Sequence, residues 1–209
     1  MRTSSHRSQM QEISQYLSIA AYFALIISWV VFLGVFVVNR RPAAAPDAKR
    51  MPQSFGGIAL QAVAVAVVWI FYRTPFLSPL FEGQFALNIV LDSAAMLLMI
   101  GSIWFARSAV KELGKQFALQ ARLIEGHELI TTGVYGIVRH PIYTAFFAMM
   151  LATGLVMCHW IALLAGAFIF LLGTRIRTAS EDRLLSDAFG AEFAAWKKKV
   201  PGLVPFAKW

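Results

Sequence analysis

Residues Pro141–Thr174 read PIYTAFFAMMLATGLVMCHWIALLAGAFIFLLGT and contain no Asp, Glu, Lys or Arg. As one helix this run would be roughly 51 Å long at ~1.5 Å per residue, far more than a hydrocarbon core of about 30 Å requires. A break at Cys158-His159-Trp160 divides it into two short helices that fold back on each other. That hairpin decides the architecture, because it returns the chain to the membrane face from which it departed.

Three other apolar runs precede it: Gln15–Val38, Phe55–Tyr72 and Phe85–Phe105. The first is uncharged over 24 residues, about 36 Å of helix, enough to cross with tilt. With 58% hydrophobic and 14% charged residues among 209, the chain reads as an all-α membrane protein of five transmembrane helices, the last two being the hairpin. It forms a single domain, with three N-terminal spans in residues 1–107 and the functional core in 108–209.

The charges agree with that count. With five spans, the Arg40–Arg50 loop, the Arg107–Arg139 loop and the tail from Arg175 share one side and hold 16 of the 19 Lys and Arg residues. A single crossing by the fourth run would split them nine against ten. The positive-inside rule therefore puts the N-terminus outside and the C-terminus in the cytoplasm. The net charge of +8 serves orientation and attraction to anionic membrane lipids; no nucleic-acid motif accompanies it.

Other features are plain. Cys158 is the lone cysteine, with no disulfide partner and no metal-ligand spacing. The first apolar run is too long for a signal-peptide core, lacks a small-x-small cleavage site and reads as an anchor. The Pro- and Ala-rich segment Asn39–Ser54 is expected to be an irregular connector, and Ser108–Gly126 a short interfacial segment. Asn88 and Asp92, four apart in the third span, are read as a helix-packing hydrogen bond, with a role toward a lipid substrate as the alternative. Phe189, Phe193, Trp196 and Val200 recur at helical spacing beside Lys197-Lys198-Lys199, which describes an interfacial C-terminal helix, either covering a cofactor cleft or simply lying on the membrane.

The chemistry gathers at the mouth of the hairpin. Arg139-His140-Pro141 opens the fourth span, with proline at a favourable first helical position. Upstream stand His127-Glu128-Leu129-Ile130 and Tyr135, the latter between Gly133 and Gly136. The hairpin brings back Arg175, Arg177, Glu181 and Asp182. Arg177 and Glu181 lie four apart on one helix face, where an ordinary ion pair contributes a few tenths of a kcal/mol. A cationic and aromatic cluster beside greasy helices suits a charged small molecule meeting a lipophilic one.

The series His127-x-Leu129, Gly133-x-Tyr135, Arg139-His140-Pro141-x-Tyr143, Arg177-x-x-x-Glu181-Asp182, Phe189-Gly190-x-Glu192-Phe193, Val200-Pro201 and Pro205-Phe206 resembles the isoprenylcysteine carboxyl methyltransferase family over roughly Leu113–Phe206. Ala145 stands where the family has glycine, and Glu181-Asp182 where it has Glu-Glu. The resemblance implies an integral membrane methyltransferase with S-adenosylmethionine as cofactor in a cytoplasmic pocket. The implied cofactor contacts are Gln120, His127, Glu128, Leu129, Ile130, Tyr135, His140, Pro141, Ile142, Tyr143 and Glu181. Arg177 meets the substrate, Arg139 is a second anion contact, and Arg177, Glu181 and Arg139 form the catalytic set.

Residue chemistry points the same way. A methionine carboxylate suits His140 and the helix start, an amino group suits Glu181, and a sulfonium and adenine suit Tyr135 and Tyr143. The Gly-rich loop by which soluble proteins hold nucleotides is missing from the sequence. The acceptor implied is a prenylcysteine carboxylate or similar lipidated substrate. A phospholipid amine, an isoprenoid or a small thiol are the alternatives within the fold, and a non-enzymatic membrane protein is the alternative outside it.

Overall fold

The computed structural model describes residues 2–39, 47–50, 54–118, 122–124 and 126–205. Five α-helices make up the body: α1 (Arg2–Val38), α2 (Ser54–Ile70), α3 (Phe85–Leu113), α4 (Pro141–Met157) and α5 (Trp160–Lys199). Three of them, over Arg7–Val38, Phe85–Gln116 and Trp160–Lys199, are long and apolar enough to cross a membrane. The chain is accordingly an integral membrane protein. α2 and α4 have 17 residues each, about 25 Å of helix, at the short end of what spans a bilayer.

α4 is the centre of the bundle and touches all four other helices. Its Ala145, Met149, Ala152 and Val156 are buried against Ala21, Leu25 and Phe32 of α1 and Ala95, Met99 and Ala106 of α3. Its other side packs Met150 on Ala64 and Val68 of α2 and on Phe170 of α5. Lipid-facing positions keep their apolar side chains exposed, as Val30, Val90 and Leu164 do at 69%, 62% and 62%. Inside a bilayer, burial of such residues in protein gives little extra, so close packing must hold the helices together.

The α2–α5 seam shows how. A side-chain carbon on Gly173 would stand 2.7 Å from the Gly57 carbonyl oxygen, 2.9 Å from Leu60 Cβ and 3.1 Å from Gln61 N. Only a residue without Cβ lets the two backbones come this near. One on Gly57 would meet Arg177 Cγ at 2.5 Å, so the same gap admits the Arg177 stem between the helices.

α4 ends at Met157, and after Cys158-His159 the chain enters α5 at Trp160, so the break lies where the sequence places it. Arg73 seals this end. It donates from Nε to Ser78 O (2.6 Å), from Nη1 to Leu155 O (3.2 Å) and Cys158 O (3.0 Å), and from Nη2 to Val156 O. The last carbonyls of a helix have no partner within it and carry partial negative charge, so a buried guanidinium satisfies them twice over. Ser14, Ser18, Asn88 and Asp92 form a buried network at the same end, with Ser18 Oγ donating to Asp92 at 2.6 Å and Asn88 Nδ2 donating to Asp92 at 2.9 Å. The Asn88/Asp92 pair thus binds α3 to α1.

At the opposite end the structure is richer than the sequence reading. Within the expected irregular connector, Asp47–Arg50 forms strand β1, paired antiparallel with β2 (Arg122–Ile124). The expected interfacial segment is instead a continuation of α3 to Leu113 and a 3-10 turn at Gly114–Gln116. The α3 periodicity carries on past Phe105 because Ala106, Ala109 and Val110 remain buried. α5 extends well beyond its apolar part and bends at Gly190, whose φ of +47° is a conformation that side chains with Cβ disfavour.

Replacing Gly173 by alanine is expected to cost about 1–3 kcal/mol through overpacking of the α2–α5 seam. The same change at Gly101, where nothing lies within 4 Å, is expected to be neutral. Thermal unfolding in detergent measures both, and equal midpoints would refute the close-approach account.

Candidate functional site

The site forms where the start of α4 meets α5 after its return. His140 is 5% exposed, and both ring nitrogens face carboxylates: Nδ1 is 3.2 Å from Glu181 Oε2 and Nε2 is 3.0 Å from Asp182 Oδ1. Two acceptors need two donors, so the geometry calls for the doubly protonated imidazolium. Burial alone pushes this imidazole's pKa down, but the hydrogen bonds and charges of Asp182 and Glu181 outweigh it and hold it above the usual histidine value. Burial raises the Asp182 carboxyl, yet His140, with Lys197 and Arg139, brings it down to about 2.

Arg139 completes the cluster. Its Nη2 lies 3.4 Å from Asp182 Oδ2, which Lys197 Nζ also reaches at 2.8 Å. Arg139 Nη1 donates to Val200 O at 2.7 Å and Lys197 O at 3.3 Å. The amides of Arg139 and His140 donate to Pro201 O (2.8 Å) and Gly202 O (3.0 Å). The C-terminal segment is therefore fastened across the start of α4.

Beside the cluster lies a cavity of about 530 Å³. His127, Glu128, Leu129, Ile130, Tyr135, Arg139, His140, Pro141, Ile142, Tyr143, Arg177 and Glu181 all line it. Gln120 lies outside the described residues. Tyr143 donates its hydroxyl to Glu181 Oε1, and the Arg177 guanidinium sits 4.6 Å from the centre of the Tyr143 ring. The site thus comprises one polar corner and a long apolar wall.

Arg177 and Glu181 do more than pair along their helix. Arg177 Nη1 donates to Gln61 Oε1 on α2 at 3.0 Å, and Gln61 Nε2 donates to Thr174 Oγ1 at 2.9 Å. Glu181 faces His140 and Tyr143 on α4. The sequence reading offered His140 to a ligand's carboxylate, but both its nitrogens are engaged by carboxylates of the chain itself. In the structure it ties Glu181 and Asp182 of α5 to the start of α4.

Several residues of this site escape sequence reasoning. Phe32, Leu33, Phe36 and Val37 of α1 form part of the apolar wall, and Phe117 and Phe146 continue it. Gln116 lines the cavity and accepts the Glu128 amide at 2.6 Å. Gln61 had a signal, being the lone amide in an otherwise apolar run; the α1 phenylalanines had none.

Fixing groups surround the remaining wall. Val134, Tyr135, Phe193 and Trp196 pack together on Ala109 at the end of α3. Burial, with the nearby charges of Glu181 and Glu112, keeps the Tyr135 phenol protonated far above its ordinary pKa. Burial also lowers the His127 pKa, favouring its neutral form. His127 Nδ1 and Trp196 Nε1 are buried without a hydrogen-bond partner among the described residues. Buried polar atoms of this kind at a cavity wall fit a polar ligand.

Residues 94–187 match the model of the isoprenylcysteine carboxyl methyltransferase family. Protein-S-isoprenylcysteine O-methyltransferase B of Arabidopsis thaliana is 30% identical over 112 residues, 53% of this chain and 56% of that protein. The Rattus norvegicus protein-S-isoprenylcysteine O-methyltransferase is 32% identical over 120 residues, 56% of this chain and 42% of its own. The chain spans about half the length of these curated relatives. The solved structure of the eukaryotic intramembrane Ras methyltransferase ICMT aligns with a TM-score of 0.57 at 16% identity, covering 91% of this chain and 68% of that one. That likeness shows a shared helical membrane fold.

The ion cluster makes stability depend on pH in a definable window. His140's contribution is complete below about pH 6.5 and is lost as pH rises through its elevated folded value; Asp182's is complete above about pH 4 and is lost as pH falls toward about 2. The melting temperature is therefore expected to decline on the alkaline side, and His140→Gln to flatten that decline. An unchanged alkaline slope in the variant would remove the imidazolium from the account.

Proposed function

Since residues 94–187 match the model of the isoprenylcysteine carboxyl methyltransferase family, we propose that this chain is an integral membrane methyltransferase of that family. It uses S-adenosylmethionine and acts on the carboxylate of a prenylcysteine-like acceptor. The observation that carries the reading is the single cavity with a polar corner at Glu181, Arg177 and His127 and an apolar wall at Phe32, Phe36 and Phe146. A charged cofactor and a greasy acceptor need both surfaces side by side.

The donor set fits the cofactor. Glu181, with one oxygen taken by Tyr143 and the other facing His140, offers a fixed carboxylate to an ammonium group. The unpartnered His127 Nδ1 and Trp196 Nε1 offer hydrogen bonds to adenosine, and the Tyr135 and Tyr143 rings offer aromatic surface to a sulfonium. When bound, S-adenosylmethionine supplies an electrophilic methyl group.

The chain's own work is positioning. An acceptor carboxylate is already ionised at neutral pH, so no general base is needed for it to form the O–CH₃ bond. Arg177, held by Gln61 and stacked on Tyr143, orients that carboxylate. The apolar wall takes the prenyl chain and excludes water from the nucleophile. Arg139 acts at a remove, fastening the C-terminal segment and Asp182.

We read α1 to α5 as five crossings, with α4 and α5 a hairpin, the cavity on the cytoplasmic side and the N-terminus outside. Sixteen of the 19 Lys and Arg residues sit on the cavity's side in this arrangement.

Calorimetry with S-adenosylmethionine is expected to show binding that Glu181→Ala weakens about 10- to 100-fold, as loss of a hydrogen bond to a charged group does. Arg177→Ala is expected to leave that affinity near wild type while reducing methyl transfer to a prenylcysteine at least about a hundredfold. Absence of binding rejects the reading. In a Cys158→Ser background, membrane-impermeant thiol labelling of His159→Cys and Ala188→Cys should reach opposite faces of sealed vesicles; labelling from one face would reject the five-crossing arrangement.

A further inference from the structure

A second cavity, of about 520 Å³, shares only Arg139 and His140 with the first. Its charged lining is Arg139, Arg175, Arg183 and Lys197 against Asp182 and Asp187. Asp182 is already matched by His140, Arg139 and Lys197, so positive charge is in excess. Thr178 and Ser186 also line the groove, the Thr178 hydroxyl donating to Arg175 O at 3.3 Å.

We propose that this groove binds the phosphate of an anionic phospholipid. The cations stand where the apolar surface ends: α4's uncharged run begins at Pro141, just after Arg139, and α5's ends at Thr174, just before Arg175. Headgroup phosphates lie at that level. Three of the four cations are arginines, whose planar forks match phosphate oxygens. Arg139 is 6% exposed, and its Nε lacks a hydrogen-bond partner among the described residues, so the deepest cation of the groove has donor capacity left.

The lipid, in preference to a soluble phosphate, follows from what adjoins Arg175. Phe168 and Leu172 precede it on the same helix face, seven and three positions back, and are 65% and 43% exposed. They form an apolar strip on which acyl chains can lie while the headgroup meets the arginines. The site is independent of the methyltransferase reading, since it needs only the level of the membrane surface.

The test uses the full chain purified in phosphatidylcholine mixed micelles, with thermal unfolding followed as phosphatidylglycerol is added. Wild-type protein is expected to gain stability with phosphatidylglycerol but not with additional phosphatidylcholine. Each arginine near the surface is worth about fivefold in affinity, so Arg175→Gln/Arg183→Gln should need on the order of thirty times more phosphatidylglycerol for the half-maximal shift. Arg175→Lys/Arg183→Lys, which keeps the charge but not the planar fork, should recover only part of the response. An equal response from the glutamine variant would overturn the site, and so would full retention by the lysine variant, because charge attraction alone would then account for the response. Inorganic phosphate reproducing the shift would overturn the lipid assignment, and no shift would overturn both. S-adenosylmethionine binding in the same preparations reports separately on the methyltransferase reading.

Discussion

The position of His140 between Glu181 and Asp182 is the constraint on which the other arrangements rest. One buried imidazolium joins the first residue before α4 to the part of α5 that follows its apolar stretch. Those positions are forty-one and forty-two residues apart in sequence, and only the turn at Cys158-His159 lets them meet. Breaking a buried ion pair from one side is expensive because the remaining charges lose their solvation substitute. The cavity keeps its shape because its polar corner cannot be rearranged piecemeal.

Around that corner, packing and polarity divide the labour. Gly57 and Gly173 bring α2 and α5 close enough that Arg177 passes between them to Gln61 and the Tyr143 face. The α1 and α4 phenylalanines supply apolar surface without imposing any hydrogen-bond geometry. A fixed polar end and a permissive greasy end are what the proposed reaction needs, since it aligns one group while admitting the tail attached to it.

Much of this was legible in the residues. The overlong Pro141–Thr174 run located the α4–α5 break, since a wholly uncharged run of that length far exceeds one crossing of the hydrocarbon core, and the residues picked out by the motif spacing that the structure describes all line one cavity. What stayed hidden depends on long-range contact. Phe32 and Phe36 look like any residues of an anchor helix until α1 lies beside α4. Likewise β1 pairs with β2 across some seventy residues, and nothing local in its sequence marks it as a strand. His140's partners were misjudged because an imidazole near a helix start reads as a ligand for an outside anion, while the anions come from the chain's own return.

Arg73 carries a consequence for biogenesis. In the five-crossing arrangement proposed above it is one of three Lys and Arg residues on the face opposite the cavity. In the finished bundle it is 4% exposed and committed to the carbonyls of residues 78, 155, 156 and 158. In the proposed five-crossing arrangement, folding withdraws that charge from the aqueous face opposite the cavity, so the asymmetry between the two faces is steeper in the closed bundle than in the nascent chain.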